Sequence, residues 1–583
     1  MNRPCRFGEM EYSMKKKFVQ LAACGLAAAL ALSLTAALPR ASAADDGQMI
    51  RVGLYYSSDA LDGANLANET GSGFRLGYFN SANEFVQLAS TADESISVVK
   101  TENVYYGTYN NYTSYHDAAV SGTVVGCYHL ELPGSYATAQ EAQLAVNNYE
   151  DGFVAWIQGA CYARVGNYPE RSGAEERQAE LADAGVEATI VGTSGYGVSV
   201  VNTGTNDILF QYDDGGAGTG LGIVPNAAGG ESTDYETWFK GFTYRGGFRY
   251  QRVGQGDLTV VNIVDMESYL KGVVPYEMSN SWHLEALKAQ AVCARTYTLA
   301  NLSRHKSYGF DICCTSHCQV YYGTNRAGSN SDRAVEETAG EVATYNGAYI
   351  DAVYYSSNGG ASIDSSIPWG GNQSSYPYLV GVEDPYEALV ANRISGYEWT
   401  RTYTGNQLRD AVRDAGYSSC STVASAEIAT YTDAGLPRQI RFTDVNGKSY
   451  TVSTASLVKW FGLRSYNYWF EETAGGSGGE PGEILVNGQS VDSLDGLYAI
   501  GADGSPIALG DDVYVIDENG DVITAEENAA GGGTTGENGT FTICGRGWGH
   551  NVGLSQWGAY AQALEGRTYK EILTFYYTGI TVG

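Results

Sequence analysis

The stretch GVVPYEM, residues 272–278, runs on to Trp282 and then into EALKAQAVCARTY, residues 285–297. It sets one carboxylate, Glu277, among Val273, Val274, Tyr276, Met278 and Trp282. Apolar neighbours that strip water from a carboxyl disfavour its charged form and raise its pKa. A glutamic acid that keeps its proton near neutral pH can deliver it to a leaving oxygen, such as that of a glycosidic bond. The plain alternative is an ionised residue ahead of a helix N-terminus, where the dipole favours the carboxylate. Pro275 fixes its own φ and disfavours helix at Val274, so Glu277 is expected on a rigid bend outside any helix.

Residues 281–301 read as a helix. Leu284, Leu287, Ala291, Ala294 and Thr298 recur every three or four positions, and Ala286, Ala289, Val292 and Cys293 keep the other faces small or apolar. That is the composition of a helix packed on several sides. Its polar exceptions, Gln290, Arg295 and Tyr297, suit buried hydrogen bonds as well as substrate contact.

Further matches extend the pattern: CCTSHCQVY at 313–321, YYSSNGG at 354–360, WGG at 369–371, YPYL at 376–379, DPYE at 384–387, GRGWGHNVGLSQWG at 545–558 and YKEILTFYY at 569–577. With residues 269–297 they resemble the sporulation stage II protein D family, which includes the amidase enhancers. So many ordered matches carry more weight than one short motif. The resemblance implies a lytic transglycosylase acting on peptidoglycan glycan strands, with Glu277 as the catalytic acid. It also implies peptide-stripped substrate and an N-acetylmuramoyl-L-alanine amidase as partner.

The Gly-rich turn after Tyr354 offers Ser356, Ser357 and Asn358 to sugar hydroxyls, and no G-x-S-x-G elbow makes either serine a nucleophile. The resemblance places Gln319, His550 and Gln556 beside the site, with His550 either an auxiliary group or a structural histidine. The family carries Gly after this His, whereas Asn551 stands here; if the turn needs φ > 0, Asn is the least costly substitute. His305, Cys313, His317 and Cys318 would complete a tetrahedral zinc set, which some relatives carry, against a disulfide or free thiols. Cys314 is a spare. Any such zinc is expected to be structural, since proton delivery by Glu277 requires no cofactor.

Alternatives remain open. A non-catalytic glycan-binding scaffold would stimulate its amidase. An inverting hydrolase would use Asp265, Glu267 or Glu285 as a second carboxylate.

The N-terminus reads as a signal peptide over residues 1–43: Lys15 to Lys17, an apolar run and an A-x-A site at 41–43. LAAC at 21–24 is a competing lipoprotein box, disfavoured because the apolar run continues past Cys24. The chain is therefore expected at the cell wall or the outer membrane face. Its formal charge is −31, and after cleavage 29 basic against 64 acidic residues leave −35. That excludes simple electrostatic binding of nucleic acid. Eight cysteines past the signal are too few for a disulfide scaffold, although Cys127 and Cys161 are candidates for adjacent strands.

The fold class is α+β. A β-rich N-terminal segment, 44–123, precedes a βαββαβ ferredoxin-like unit, 124–203, whose half-repeats resemble the glycan-binding sporulation-related repeat (SPOR) domains. The catalytic domain occupies 204–473 and 541–583, built on β structure around the central helix. An acidic, Gly-rich insertion of small hairpins, 474–540, interrupts it.

Overall fold

The computed structural model describes residues 47–109, 112–118, 123–226, 235–471 and 540–583, with six short strands between 484 and 524. The signal and lipoprotein readings fall on 1–46, outside the described residues.

Alternating and continuous apolar runs become two large sheets. The first holds seven strands in the order Ile312–Cys313, Met49–Tyr55, Leu258–Asp265, Gly247–Arg252, Leu221–Pro225, Phe74–Phe79 and Phe85–Thr91. Met49 lies opposite Asp265 in an antiparallel ladder. Residues expected as a separate opening segment therefore brace the strand that leads into Glu277. That strand, LTVVNIVD, is buried along nearly its whole length, as a run without alternation requires.

The second sheet has ten strands and opens with the βαββαβ unit. Thr189–Val191, Tyr128–Glu131, Ala160–Tyr168 and Gly152–Ile157 are neighbours in that order, with helices Ala139–Val146 and Arg171–Asp183 between them in sequence. Thr138 and Glu141 close a capping box on the first helix. The start of the unit breaks at Gly126, between Val124–Val125 and Tyr128–Glu131, where a Cβ would meet the Tyr168 backbone at 2.3 Å. The unit is not closed off: Gly152–Ile157 pairs in parallel with Ile208–Asp213, which continues the sheet to Phe242–Arg245. Cys127 and Cys161 are buried free thiols.

Between the first sheet and the C-terminal helices lies Leu284–Ala300, with twelve of its residues buried. It begins at Leu284, three residues later than the sequence suggests, capped by His283, whose Nδ1 accepts from Glu285 N. Alanines at 286, 289, 291 and 294 let neighbours approach closely, among them Ser329–Glu336, Gln556–Leu564 and Tyr569–Tyr576.

A second core gathers Trp399, Leu408, Ile440, Phe442, Leu457, Tyr468 and Ile543. Here Thr540–Arg546 lies between Glu398–Thr404 and Asn467–Phe470. Phe470 faces Ile543, so the chain leaves for the insertion and returns from it on adjacent strands. Within the insertion, the six described strands form three two-stranded antiparallel ladders.

Candidate active site

Asp265 caps the helix Met266–Lys271 through Ser268 N, and the chain then makes a single helical turn, Val274–Glu277. Glu277 ends that turn rather than sitting on an extended bend. Pro275 falls in the first turn of the helix, where its missing N–H forfeits nothing, so Val274 stays helical.

Two of the neighbours expected around the Glu277 carboxylate, Tyr276 and Trp282, have partners elsewhere. Tyr276 donates its hydroxyl to Tyr322 O, and Trp282 packs on Trp557 and Tyr560 with centroids 4.5 and 4.8 Å away. Its polar contacts come from distant segments. Val320 N donates to Oε1 at 3.4 Å, Gln556 Nε2 to Oε2 at 3.3 Å, and the Tyr354 hydroxyl also bonds the carboxylate. Burial raises the Glu277 pKa above the usual carboxylate range, and these three donors oppose the rise. Among the described residues no Lys or Arg forms an ion pair with it.

Tyr354 is held in turn by Gln319, whose Nε2 donates to the phenol oxygen at 3.2 Å. Tyr269 and Thr298 donate to Gln319 Oε1 at 2.9 and 2.8 Å, which fixes the orientation of its amide. The chain Thr298, Gln319, Tyr354, Glu277 thus leads from the central helix to the carboxyl.

A cleft of about 670 Å³ opens over this group, lined by Glu277, Tyr297, Gln319, Tyr354, Ser356, His550 and Gln556 among others. Trp369 and Trp548 stand half exposed at it, rings suited to stacking on sugar. Arg304 also lines it and donates to Tyr297 Oη at 3.0 Å and Asn301 Oδ1 at 3.2 Å. Asp351 is a second carboxylate in the cleft, raised by burial.

Several expected contacts lie elsewhere. Arg295 is fully buried in a two-pronged pair with Glu267, at 2.8 and 2.6 Å. Ser357 and Asn358 turn inward: Ser357 Oγ donates to Glu387 at 2.5 Å and Asn358 Nδ2 to Asp384 at 2.6 Å. Gln290 sits behind the wall and accepts from Gln556 at 3.3 Å. The three carboxylates proposed as a second acid or base are all engaged: Asp265 as a helix cap, Glu267 with Arg295, and Glu285 with Lys288 and Tyr569 N. Tyr354, Asp351 and Arg304 are cleft residues to which the sequence assigned no role.

His550 lines the cleft with both ring nitrogens engaged, which fixes its tautomer. Its Nε2 donates to Tyr354 O and its Nδ1 accepts from Val552 N, both at 3.1 Å. Burial pushes its pKa down to about 4, so it is neutral where Glu277 would work. Asn551 has φ 58°, and its side chain donates to Asn358 O and Ala361 O. The departure from Gly thus keeps the left-handed turn and adds two ties.

Beside the carboxyl, His305, Cys313, His317 and Cys318 bring one donor atom each within 4.8 Å of one another. The separations Cys318 Sγ to His305 Nε2, Cys318 Sγ to His317 Nδ1 and Cys313 Sγ to His317 Nδ1 are 3.3, 3.6 and 3.7 Å. Tetrahedral zinc with ordinary bond lengths puts its ligand atoms about 3.3–3.8 Å apart, so this donor set fits. The bent backbone that turns both His317 and Cys318 inward is a turn closed by Cys318 N to Thr315 O. Cys314 points away, toward Leu54 O.

Comparison with known proteins agrees with this geometry. A family model described as stage II sporulation protein matches residues 254–345, which span the Glu277 turn, the central helix and the Cys/His cluster. The amidase enhancer of Bacillus subtilis (strain 168) is 30% identical over 326 residues, 54% of this chain and 40% of that protein's length. An uncharacterized protein of Brachyspira hyodysenteriae is 29% identical over 56% of this chain and 68% of its own. Stage II sporulation protein D of Bacillus subtilis (strain 168) is 24% identical over 55% of this chain and 75% of its own. Residues 254–345 thus match the stage II sporulation protein family, and about half of this chain is similar to the amidase enhancer and to stage II sporulation protein D.

Proposed function

We propose that the protein is a peptidoglycan lytic transglycosylase of the cell wall. The observation that carries this reading is Glu277: a partly buried carboxyl whose pKa desolvation raises, without a cationic partner among the described residues, set in a cleft with aromatic rims. Glu277 donates its proton to the glycosidic oxygen leaving N-acetylmuramic acid. As carboxylate it then takes the proton from the muramic C6 hydroxyl, whose oxygen closes on C1 to give a 1,6-anhydro ring. One carboxyl serves both steps.

The Tyr354 hydroxyl and Gln556 amide hold the side chain and stabilise its charged form between the steps. Arg304 supports a peptide-stripped substrate. Its Nε and second terminal nitrogen face no acceptor among the described residues, and a muramic residue without its peptide exposes a free lactyl carboxylate. His305, Cys313, His317 and Cys318 would hold zinc, which would supply structural rigidity to the 313–318 turn. That turn carries Gln319 and Val320 to Tyr354 and Glu277. The βαββαβ unit at 124–203 is assigned a supporting role in glycan binding, on its resemblance alone.

A second reading has its own support. The relative at 30% identity is named an amidase enhancer, so a scaffold that binds glycan and stimulates an amidase fits the same cleft. Asp351 would allow an inverting hydrolase. Purified protein incubated with peptide-stripped glycan separates all three: anhydro ends for the transglycosylase, reducing ends for the hydrolase, and no release without amidase for the scaffold.

A further inference from the structure

The motif DPYE at 384–387 ends in Glu387, an acid that is fully buried and does not line the Glu277 cleft. Its carboxylate collects four donors. Oε1 accepts from Ser357 Oγ at 2.5 Å and Gly359 N at 2.8 Å, and Oε2 from Asn358 N at 2.9 Å and Ser555 Oγ at 2.6 Å. Among the described residues no Lys or Arg pairs with it. Burial raises its pKa, and the same four donors oppose the rise. A buried charge is costly, and here hydrogen bonds alone offset that cost.

The four donors belong to the two segments that carry polar partners of Glu277. Tyr354–Tyr355 and Leu554–Ser555 pair in parallel. Tyr354, three residues before Ser357, bonds the Glu277 carboxylate, and Gln556, directly after Ser555, donates to its Oε2 at 3.3 Å. Glu387 therefore ties together the ends of both strands.

The tie needs a carboxylate and not an amide. Each oxygen faces one backbone N–H, Gly359 N on Oε1 and Asn358 N on Oε2, and a backbone N–H cannot become an acceptor. The amide nitrogen of a glutamine would meet a donor in either orientation, leaving a buried group unsatisfied.

We propose, on the reading of Glu277 as the catalytic acid, that Glu387 is a positioning residue: it sets Tyr354 and Gln556 against the Glu277 carboxylate without touching substrate.

The test is a pair of double-mutant cycles on the full chain. In steady-state kinetics on peptide-stripped glycan, Glu387→Gln should lower kcat about tenfold with KM within about twofold. That loss should vanish in the Tyr354→Phe/Gln556→Ala background, where neither donor is left to place. Thermal melting at pH 7.5 requires no activity: the gain on Glu277→Gln should be larger in the Glu387→Gln background than in wild type, because displaced donors no longer stabilise the charged carboxylate. A tie that only holds the fold together gives equal effects in both backgrounds, and that additive result in either cycle overturns the inference, as does a loss confined to KM. A wild type that releases no product while the melting cycle shows coupling removes the transglycosylase reading and leaves the positioning intact. Should Glu387→Gln not fold, Ser357→Ala takes its place in both cycles, with a kcat loss of about threefold for the single lost bond.

Discussion

Gln319 donates its amide to the Tyr354 hydroxyl at 3.2 Å, so the phenol's own proton is directed at Glu277. A phenol fixed in this way does more than fill space. Tyr354→Phe should leave the fold intact and lower kcat by about 10²-fold with little change in KM, since the lost bond matters most when Glu277 is charged. Steady-state kinetics on glycan strands measure this. A change confined to KM would assign Tyr354 to substrate binding instead.

Glu277→Gln should abolish cleavage and stabilise the protein. The folded-state pKa of Glu277 is raised, so ionisation costs the folded state: stability is greatest below the unfolded value of about 4.3 and declines as pH rises through the raised value. Thermal melting at pH 7.5 should place the variant above wild type, and the two should converge near pH 4. A variant that melts lower at both pH values would show that the carboxylate is structural.

The same shift governs rate. kcat/KM should fall as pH rises through the Glu277 value, above the ordinary glutamate range. His550, pushed down to about 4, should contribute no inflection near pH 6.5. For stability the sign is opposite to that of Glu277. His129 is also held near 4 by burial, so the stability it contributes is present above about pH 6.5 and lost as pH falls toward 4, on the order of 3 kcal/mol in all. Melting of His129→Gln against wild type across that window measures it.

Metal removal should act on the turn as well as on rate. Purified protein should carry about one zinc per chain, and a strong chelator should lower both melting temperature and cleavage. Cys313→Ser should reproduce the loss. Elemental analysis showing no zinc, with full activity, would remove the metal from the account.

Replacing residues 472–539 with a short Gly/Ser turn should leave cleavage within about twofold of wild type. Glu471 N bonds Thr542 O at 2.9 Å on adjacent antiparallel strands, so a tight connection spans the gap.

How much of this could be read from the chain depends on what each residue's partners are. Glu277 was legible because a motif names it, and the four Cys/His residues because their chemistry is scarce and clustered within residues 305–318. The environment of Glu277 was not. Successive side chains on a helical turn diverge by about 100°, so Tyr276 leaves the carboxyl while Val320 and Gln556 reach it from 43 and 279 residues away. Arg295, Ser357 and Asn358 looked like sugar ligands because they are polar residues within motifs. Their partners Glu267, Glu387 and Asp384 make them core fasteners, and no local spacing announces a buried ion pair. The N-terminal segment was legible as β-rich, but the pairing of its strand Met49–Tyr55 with Leu258–Asp265 is a long-range choice the local pattern does not contain.

The central claim meets its most direct test in mass spectrometry of the products released from peptide-stripped glycan strands by purified wild type and Glu277→Gln. Fragments ending in 1,6-anhydro-N-acetylmuramic acid from wild type and none from the variant are the expected result. Reducing ends in place of anhydro ends, or anhydro product persisting in the variant, would contradict it.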